Sequence, residues 1–191
     1  MEGTLLVADK DVLDFGVPTG GIMQIAYIVP NLEEAVERHL ATLPMGPWFI
    51  FEHFPLLDYQ HRGQDAEIDV SIAMAFSGSM CFELIMQNCN NDSVYMEIQQ
   101  RKGWGFHHWA YASMDFDADI ERYTATGREV ALYGRAGPGA RAAYIDTTDI
   151  LPGMIELIEI TDNVQGLFTE MQEAAAGWDG RSEPIRTFSQ Q

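Results

Sequence analysis

Two stretches of this chain copy each other at a fixed distance, and that most limits what it can fold into. Ile22-Met23-Gln24-Ile25-Ala26-Tyr27 returns as Phe106-His107-His108-Trp109-Ala110-Tyr111. Gln24 falls on His108, Ala26 on Ala110 and Tyr27 on Tyr111. The register continues through Asn31 with Asp115 and Glu37-Arg38 with Glu121-Arg122 to Ala41-Thr42 with Ala125-Thr126, at a constant offset of 84 (108 − 24, 126 − 42). A second pair, Cys81-Phe82-Glu83-Leu84-Ile85 and Met154-Ile155-Glu156-Leu157-Ile158, repeats at 73 (156 − 83). Fixed offsets sustained over such lengths mark a duplicated supersecondary unit.

Local patterns fill in the unit. Ile22 to Val29 is rich in β-branched and aromatic residues and predicts a strand, closed by Pro30. Asn31 is an N-cap, Glu33-Glu34 suit a first turn, and Leu32, Val36 and Leu40 recur at helical spacing over 31–42. Trp48 to Phe54 predicts a short aromatic strand, and 55–65 a surface loop carrying Tyr59, His61 and Arg62. Ile68, Val70, Ile72, Met74 and Phe76 alternate with smaller residues as a half-buried strand does. A turn at Ser77-Gly78-Ser79 leads into a strand over 80–87. The second unit predicts a strand at 105–113, a helix at 115–126 stopped by Gly127, and strands at 128–133, 140–147 and 154–160. The fold class is therefore α+β, with two β-α-β-β-β modules. Residues 1–19 read as an N-terminal arm, 20–87 as the first module, 88–103 as a linker helix and 104–160 as the second module. Residues 161–191 read as a C-terminal helix, with Val164, Leu167, Phe168 and Met171 on one side, and a loose tail.

Composition narrows the partners. The 191 residues are 47% apolar with a net charge of −18. Such a surface repels phosphate backbones, so nucleic acid is not an expected partner. Lys10 and Lys102 are the only lysines, which leaves no polybasic membrane patch, and no apolar run reaches spanning length. Cys81 and Cys89 are too few for a disulfide framework. With no basic start at Met1-Glu2-Gly3-Thr4, the expected location is cytoplasmic.

Strand parity points to a site. Residues i and i+2 share a face, so Gln24 goes with Ala26 and Ile28, and His108 with Phe106 and Ala110. Glu83 goes with Cys81 and Ile85, and Glu156 with Met154 and Ile158. His107 points to the opposite face and reads as a packing or surface histidine. A carboxylate on an apolar strand is costly to bury unless paired or bound to a cation, and here there are two at equivalent places. If both units curl around one cup, Gln24, Glu83, His108 and Glu156 converge there. One imidazole, two carboxylates and an amide suit a divalent ion, zinc at about 2.0–2.2 Å, with nickel, manganese, magnesium, cobalt or iron as alternatives for so oxygen-rich a set. Gln24 is either a ligand or a hydrogen-bond partner of the others. The aromatic run at 48–54 is either core or the wall of a large apolar substrate pocket. The glycine-rich 134–139 loop lacks the Lys-Ser/Thr of a phosphate loop.

The duplicated β-α-β-β-β unit, the Val-Pro-Asn-Leu-Glu-Glu-Ala entry, Gly-Phe-His-His and Ile-Glu-Leu-Ile together resemble the vicinal oxygen chelate superfamily, over residues 20–160. The branch they resemble is that of glyoxalase I and methylmalonyl-CoA epimerase. The resemblance implies a curled mixed sheet around a cup (the glyoxalase/bleomycin resistance/dioxygenase fold). It also implies a cation bound by Gln24, Glu83, His108 and Glu156, a set similar to that of eukaryotic-type glyoxalase I. The epimerase usually has histidine in place of Gln24 and glutamine in place of Glu83, and here the chain departs from it. The implied activity is that of a metal-dependent lyase or isomerase. It would move a proton beside a carbonyl and stabilise the enediolate with the metal, Glu156 being the catalytic carboxylate and Glu83 a ligand or second base. The substrate would be a hydrophobic small molecule and the protein a homodimer. The alternatives are a non-catalytic drug- or xenobiotic-binding protein of the same fold and a non-haem iron dioxygenase.

Overall fold

The computed structural model describes residues 11–137 and 139–187. The first ten residues of the expected arm, Pro138 of the glycine-rich loop and the last four of the tail lie outside them. In chain order the elements are β1 (Ile22–Ile28), α1 (Leu32–Thr42), β2 (Trp48–Phe51), β3 (Leu56–His61), β4 (Gln64–Asp65), β5 (Val70–Ser77) and β6 (Met80–Gln87). Then follow α2 (Val94–Lys102), β7 (Gly105–Ser113), α3 (Phe116–Thr124), β8 (Val130–Ala136), β9 (Ala140–Ile145), β10 (Met154–Glu159), α4 (Asp162–Ala176) and β11 (Ile185–Thr187). The strands form one mixed sheet in the order β11-β2-β5-β6-β1-β7-β10-β9-β8-β3-β4. Among the described residues no helix is long and apolar enough to cross a membrane.

The duplication is written into the hydrogen bonds. β1 runs parallel to β6 with Gln24 opposite Cys81, and β7 runs parallel to β10 with His108 opposite Met154, the same register twice. β1 and β7 meet antiparallel and join the modules. Both module helices start alike: the Asn31 side chain accepts from the Glu34 amide at 2.9 Å, and Asp115 accepts from Ala118 at 3.1 Å, a cap worth about 1 kcal/mol each. α1 covers the outer sheet face through Leu32 and Val36 on Trp48 and Leu84. α3 covers its counterpart through Phe116 on Ile145 and Leu157.

The inner face holds the main core. Ile28, Ile72, Cys81, Ile85, Ala110 and Met154 point into it from the strands. Three segments outside the modules close over it. From the N-terminal arm, Phe15 stacks on Phe168 of α4 at 5.3 Å between ring centres, and Phe168 meets Phe76 at 5.9 Å. Val94, Tyr95 and Ile98 enter from α2. In its described part, residues 11–19, Leu13, Phe15 and Val17 are buried.

Three local expectations are corrected. The segment 55–65 is not a loop but the β3–β4 hairpin, which leaves the first module and pairs with β8 of the second. It is held by Arg62, whose guanidinium donates to Glu97 of α2 at 2.6 and 2.9 Å and to Asp146 at 2.9 Å, while His61 meets Glu97 at 2.9 Å. The strand expected at 128–133 continues to Ala136. The tail returns to the sheet as β11, parallel to β2.

Candidate functional site

The four residues singled out in the sequence do meet, deep on the inner face. Gln24, Glu83, His108 and Glu156 are buried, the imidazole completely. Gln24 Nε2 donates to Glu83 Oε2 at 2.7 Å. His108 Nε2 lies 3.0 Å from Glu156 Oε2 and 3.6 Å from Glu83 Oε2. At the 3.0 Å separation the angles are not those of a hydrogen bond, and His108 Nε2 and Gln24 Oε1 are both left without a partner. Buried polar atoms without partners are rare, and here two of them belong to the same cluster.

Bulges build this arrangement. Between β1 and β7 the pairing passes from Ala26–His108 to Tyr27–Phe106, so His107 is an extra residue on β7. The same happens between Ile22–Tyr111 and Gln24–Ala110, where the extra residue is Met23. Met23 and His107 are equivalent in the repeat (107 − 23 is again 84), and both are fully buried. A bulge breaks the alternation of faces. That corrects the parity reading of His107, which lies inside, with its Nδ1 3.0 Å from His108 Nδ1. Gly153, just before β10, makes room on the other side. A Cβ there would stand 2.3 Å from the His107 carbonyl oxygen, so no other residue fits without moving the strand.

Electrostatics follow from burial. Burial pushes Glu156 from 4.5 up to about 8, with the Tyr144 hydroxyl pulling the other way. Burial and then the charge on Glu156 hold Glu83 well above the carboxylate range, opposed by the Gln24 hydrogen bond. Burial lowers His108 to about 3. Burial, with the neighbouring His108, lowers His107 to about 3 as well. Both rings are therefore neutral at pH 7. Tyr144 sits opposite Glu156 in the β9–β10 ladder. Its ring lies 4.7 Å from that of His108 and its hydroxyl 3.2 Å from that of Tyr95. Neither tyrosine stands out in the sequence. The signal that could have found Tyr144 was its place in the strand antiparallel to Glu156.

The donor types suit a divalent cation. Four donors about 2.1 Å from one ion at tetrahedral angles stand about 3.4 Å apart, and the two His108–glutamate separations of 3.0 and 3.6 Å bracket that value. Two mutually destabilising carboxylates are what a cation relieves. Among the described residues, however, no three His, Cys, Asp or Glu side chains are already spaced as a formed metal cluster. The donors face one another, Gln24 on Glu83, rather than a common centre. A cavity of about 70 Å³ adjoins them. Gln24, Glu83 and Glu156 line its floor, and Phe51, Phe54, Leu167 and Phe168 are among its apolar walls. The aromatic run at 48–54 thus supplies one wall, of a much smaller pocket than the sequence suggested.

Residues 23–144 match the family model of the Glyoxalase/Bleomycin resistance protein/Dioxygenase superfamily. No curated protein sequence matches. Among solved structures the fold is similar to that of methylmalonyl-CoA epimerase from Mycobacterium tuberculosis, with 20% identity and a TM-score of 0.56 over 87% of this chain and 97% of that one. A hypothetical protein from Bacillus halodurans gives 18% and 0.53 over 74% and 94%. A variant of the Streptomyces coelicolor methylmalonyl-CoA epimerase, in complex with 2-nitronate-propionyl-CoA, gives 19% and 0.51 over 75% and 96%. At these identities the likeness is one of fold.

Proposed function

This chain belongs to the Glyoxalase/Bleomycin resistance protein/Dioxygenase superfamily, and on that footing we propose that it is a metal-dependent lyase or isomerase. It would move a proton on the carbon beside the carbonyl of a small, hydrophobic, uncharged substrate. The observation that carries this reading is His108 Nε2, buried and without a hydrogen-bond partner, facing two buried glutamates. Gln24, Glu83, His108 and Glu156 would hold the ion, zinc or another divalent metal, and a homodimer is expected with it. When bound, the ion supplies Lewis-acid polarisation of the substrate carbonyl.

The chain's own groups do the rest. Glu156 takes the proton and returns it, the role a carboxylate within reach of the substrate carbon can fill. Gln24 holds Glu83 in place through its amide N–H. Phe168 and Leu167 give the cavity an apolar wall. The epimerase neighbours are named for a CoA ester, but about 70 Å³ of largely apolar space favours a much smaller ligand, as does the scarcity of lysine.

The test works before any substrate has been identified. Purified protein is expected to carry close to one divalent ion per chain. In D₂O it should exchange the protons beside the carbonyl of small ketones and 2-oxoaldehydes, read by NMR. Metal-free protein that takes up no ion and exchanges nothing would contradict the proposal. It would support a second reading, a small-molecule-binding protein without a cation, which one observation favours: no formed metal cluster exists among the described residues.

A further inference from the structure

Resting on that reading of the site, we propose that His107 is a positioning residue: it relays the Val94 carbonyl to His108 and fixes the tautomer that leaves His108 Nε2 bare. Nothing in the sequence pattern gave His107 this task. The bulge brings it to the same side as His108.

The relay begins at α2. Val94 is its first residue, held by the cap at Ser93, whose hydroxyl accepts from the Met96 amide at 3.1 Å and donates to Gln87 at 2.5 Å. A carbonyl can only accept, and it has two lone pairs. Val94 O stands 3.2 Å from His107 Nε2, so that nitrogen carries the proton. In a neutral ring the other nitrogen is then bare. His107 Nδ1 lies 3.0 Å from His108 Nδ1 and must accept from it. His108 therefore carries its proton on Nδ1, and its Nε2 keeps a free lone pair directed toward Glu83 and Glu156. The reverse assignment would set two acceptors against each other at Val94 and aim an N–H of His108 at the place a cation would occupy.

Packing denies His107 an escape. Its ring lies between Tyr95, 5.0 Å away, and Tyr144, 5.6 Å away. Among the described residues neither imidazole has another hydrogen-bond partner that could set the choice. The linker between the modules thus does more than connect them: its first helical carbonyl sets the protonation pattern of the site. Partners that orient a ligating histidine in this way are worth about 10–100-fold in metal affinity.

Two readouts separate this from a merely packed histidine. Long-range ¹H–¹⁵N spectra of the metal-free protein near pH 7 locate the proton on each ring. The expected pattern is Nδ1–H on His108 and Nε2–H on His107. In His107→Phe that preference of His108 is lost, and zinc affinity, measured by competition with a chromophoric chelator, falls by about 10–100-fold. In His107→Asn the side-chain oxygen can accept in place of Nδ1 and recovers most of the affinity. A wild-type spectrum with His108 bare on Nδ1 would overturn the proposal, and so would a folded Phe variant that binds zinc as tightly as wild type. Wild-type protein that binds no divalent ion would defeat the functional reading instead, while the ring spectra would still decide this one.

Discussion

Glu156→Gln is expected to abolish proton exchange and, at the same time, to make the metal-free protein more stable at pH 8.5. Loss of a general base costs about 10²–10⁴-fold. The gain in stability comes from the same burial that tunes the base. Glu156 titrates at about 8 in the folded chain against 4.5 for a free side chain, and Glu83 is shifted the same way. Between those values the folded state holds more protons than the unfolded one, so stability falls as pH rises through the window. Below about pH 4.5 the contribution is complete, and above about pH 8 it is gone. A glutamine amide carries no such proton, and it can donate to His108 Nε2 where the carboxylate opposes it. The variant should therefore gain on the order of a few kcal/mol over wild type at pH 8.5 and little at pH 5. Denaturant unfolding at the two pH values measures the difference. Equal effects at both, or exchange within a few-fold of wild type, would remove Glu156 from the role given to it.

His108→Ala should abolish divalent-ion binding. It removes the one imidazole that faces both glutamates among the described residues, so the loss should exceed the roughly 10–100-fold assigned to its partner His107. Linkage offers a clean assay: at a zinc concentration about 100 times the wild-type Kd, the wild-type protein gains about 2.7 kcal/mol of stability and the variant gains almost none. An equal rise in both would mean that the ion binds elsewhere.

Much of this architecture is legible in the residues themselves. The 84- and 73-residue offsets place Gln24 and His108, and Glu83 and Glu156, at equivalent points, and the ladders repeat that equivalence pair by pair. Asn31 and Asp115 cap the helices their positions announce. What stayed hidden was non-local or aperiodic. A bulge leaves no mark on hydrophobic periodicity, so strand parity sent His107 to the wrong side. The β3–β4 hairpin reads as a loop because its own alternation is broken. Asp58 and Arg62 take left-handed φ of 51° and 48°, and the pairing shifts between Leu57 and Gln60. Its partner is β8, far along the chain, and only the curled sheet brings the two together. Tyr95 and Tyr144 become part of the site through helix docking and cross-strand pairing, which no window of sequence contains.

The burial that makes the site expensive also explains its form. The inner face carries two carboxyl groups of raised proton affinity and an imidazole nitrogen without a hydrogen-bond partner, with α2 behind and α4 in front. Natural proteins accept such local cost at working sites, and the proposed cation would offset it here.

The most direct measurement is anomalous diffraction from crystals grown with one equivalent of zinc or nickel. A single strong peak is predicted inside the sheet, in contact with His108 Nε2 and with the carboxylates of Glu83 and Glu156. A peak only at surface residues, or none in a protein shown to be folded and fully exposed to the ion, would contradict the cation site.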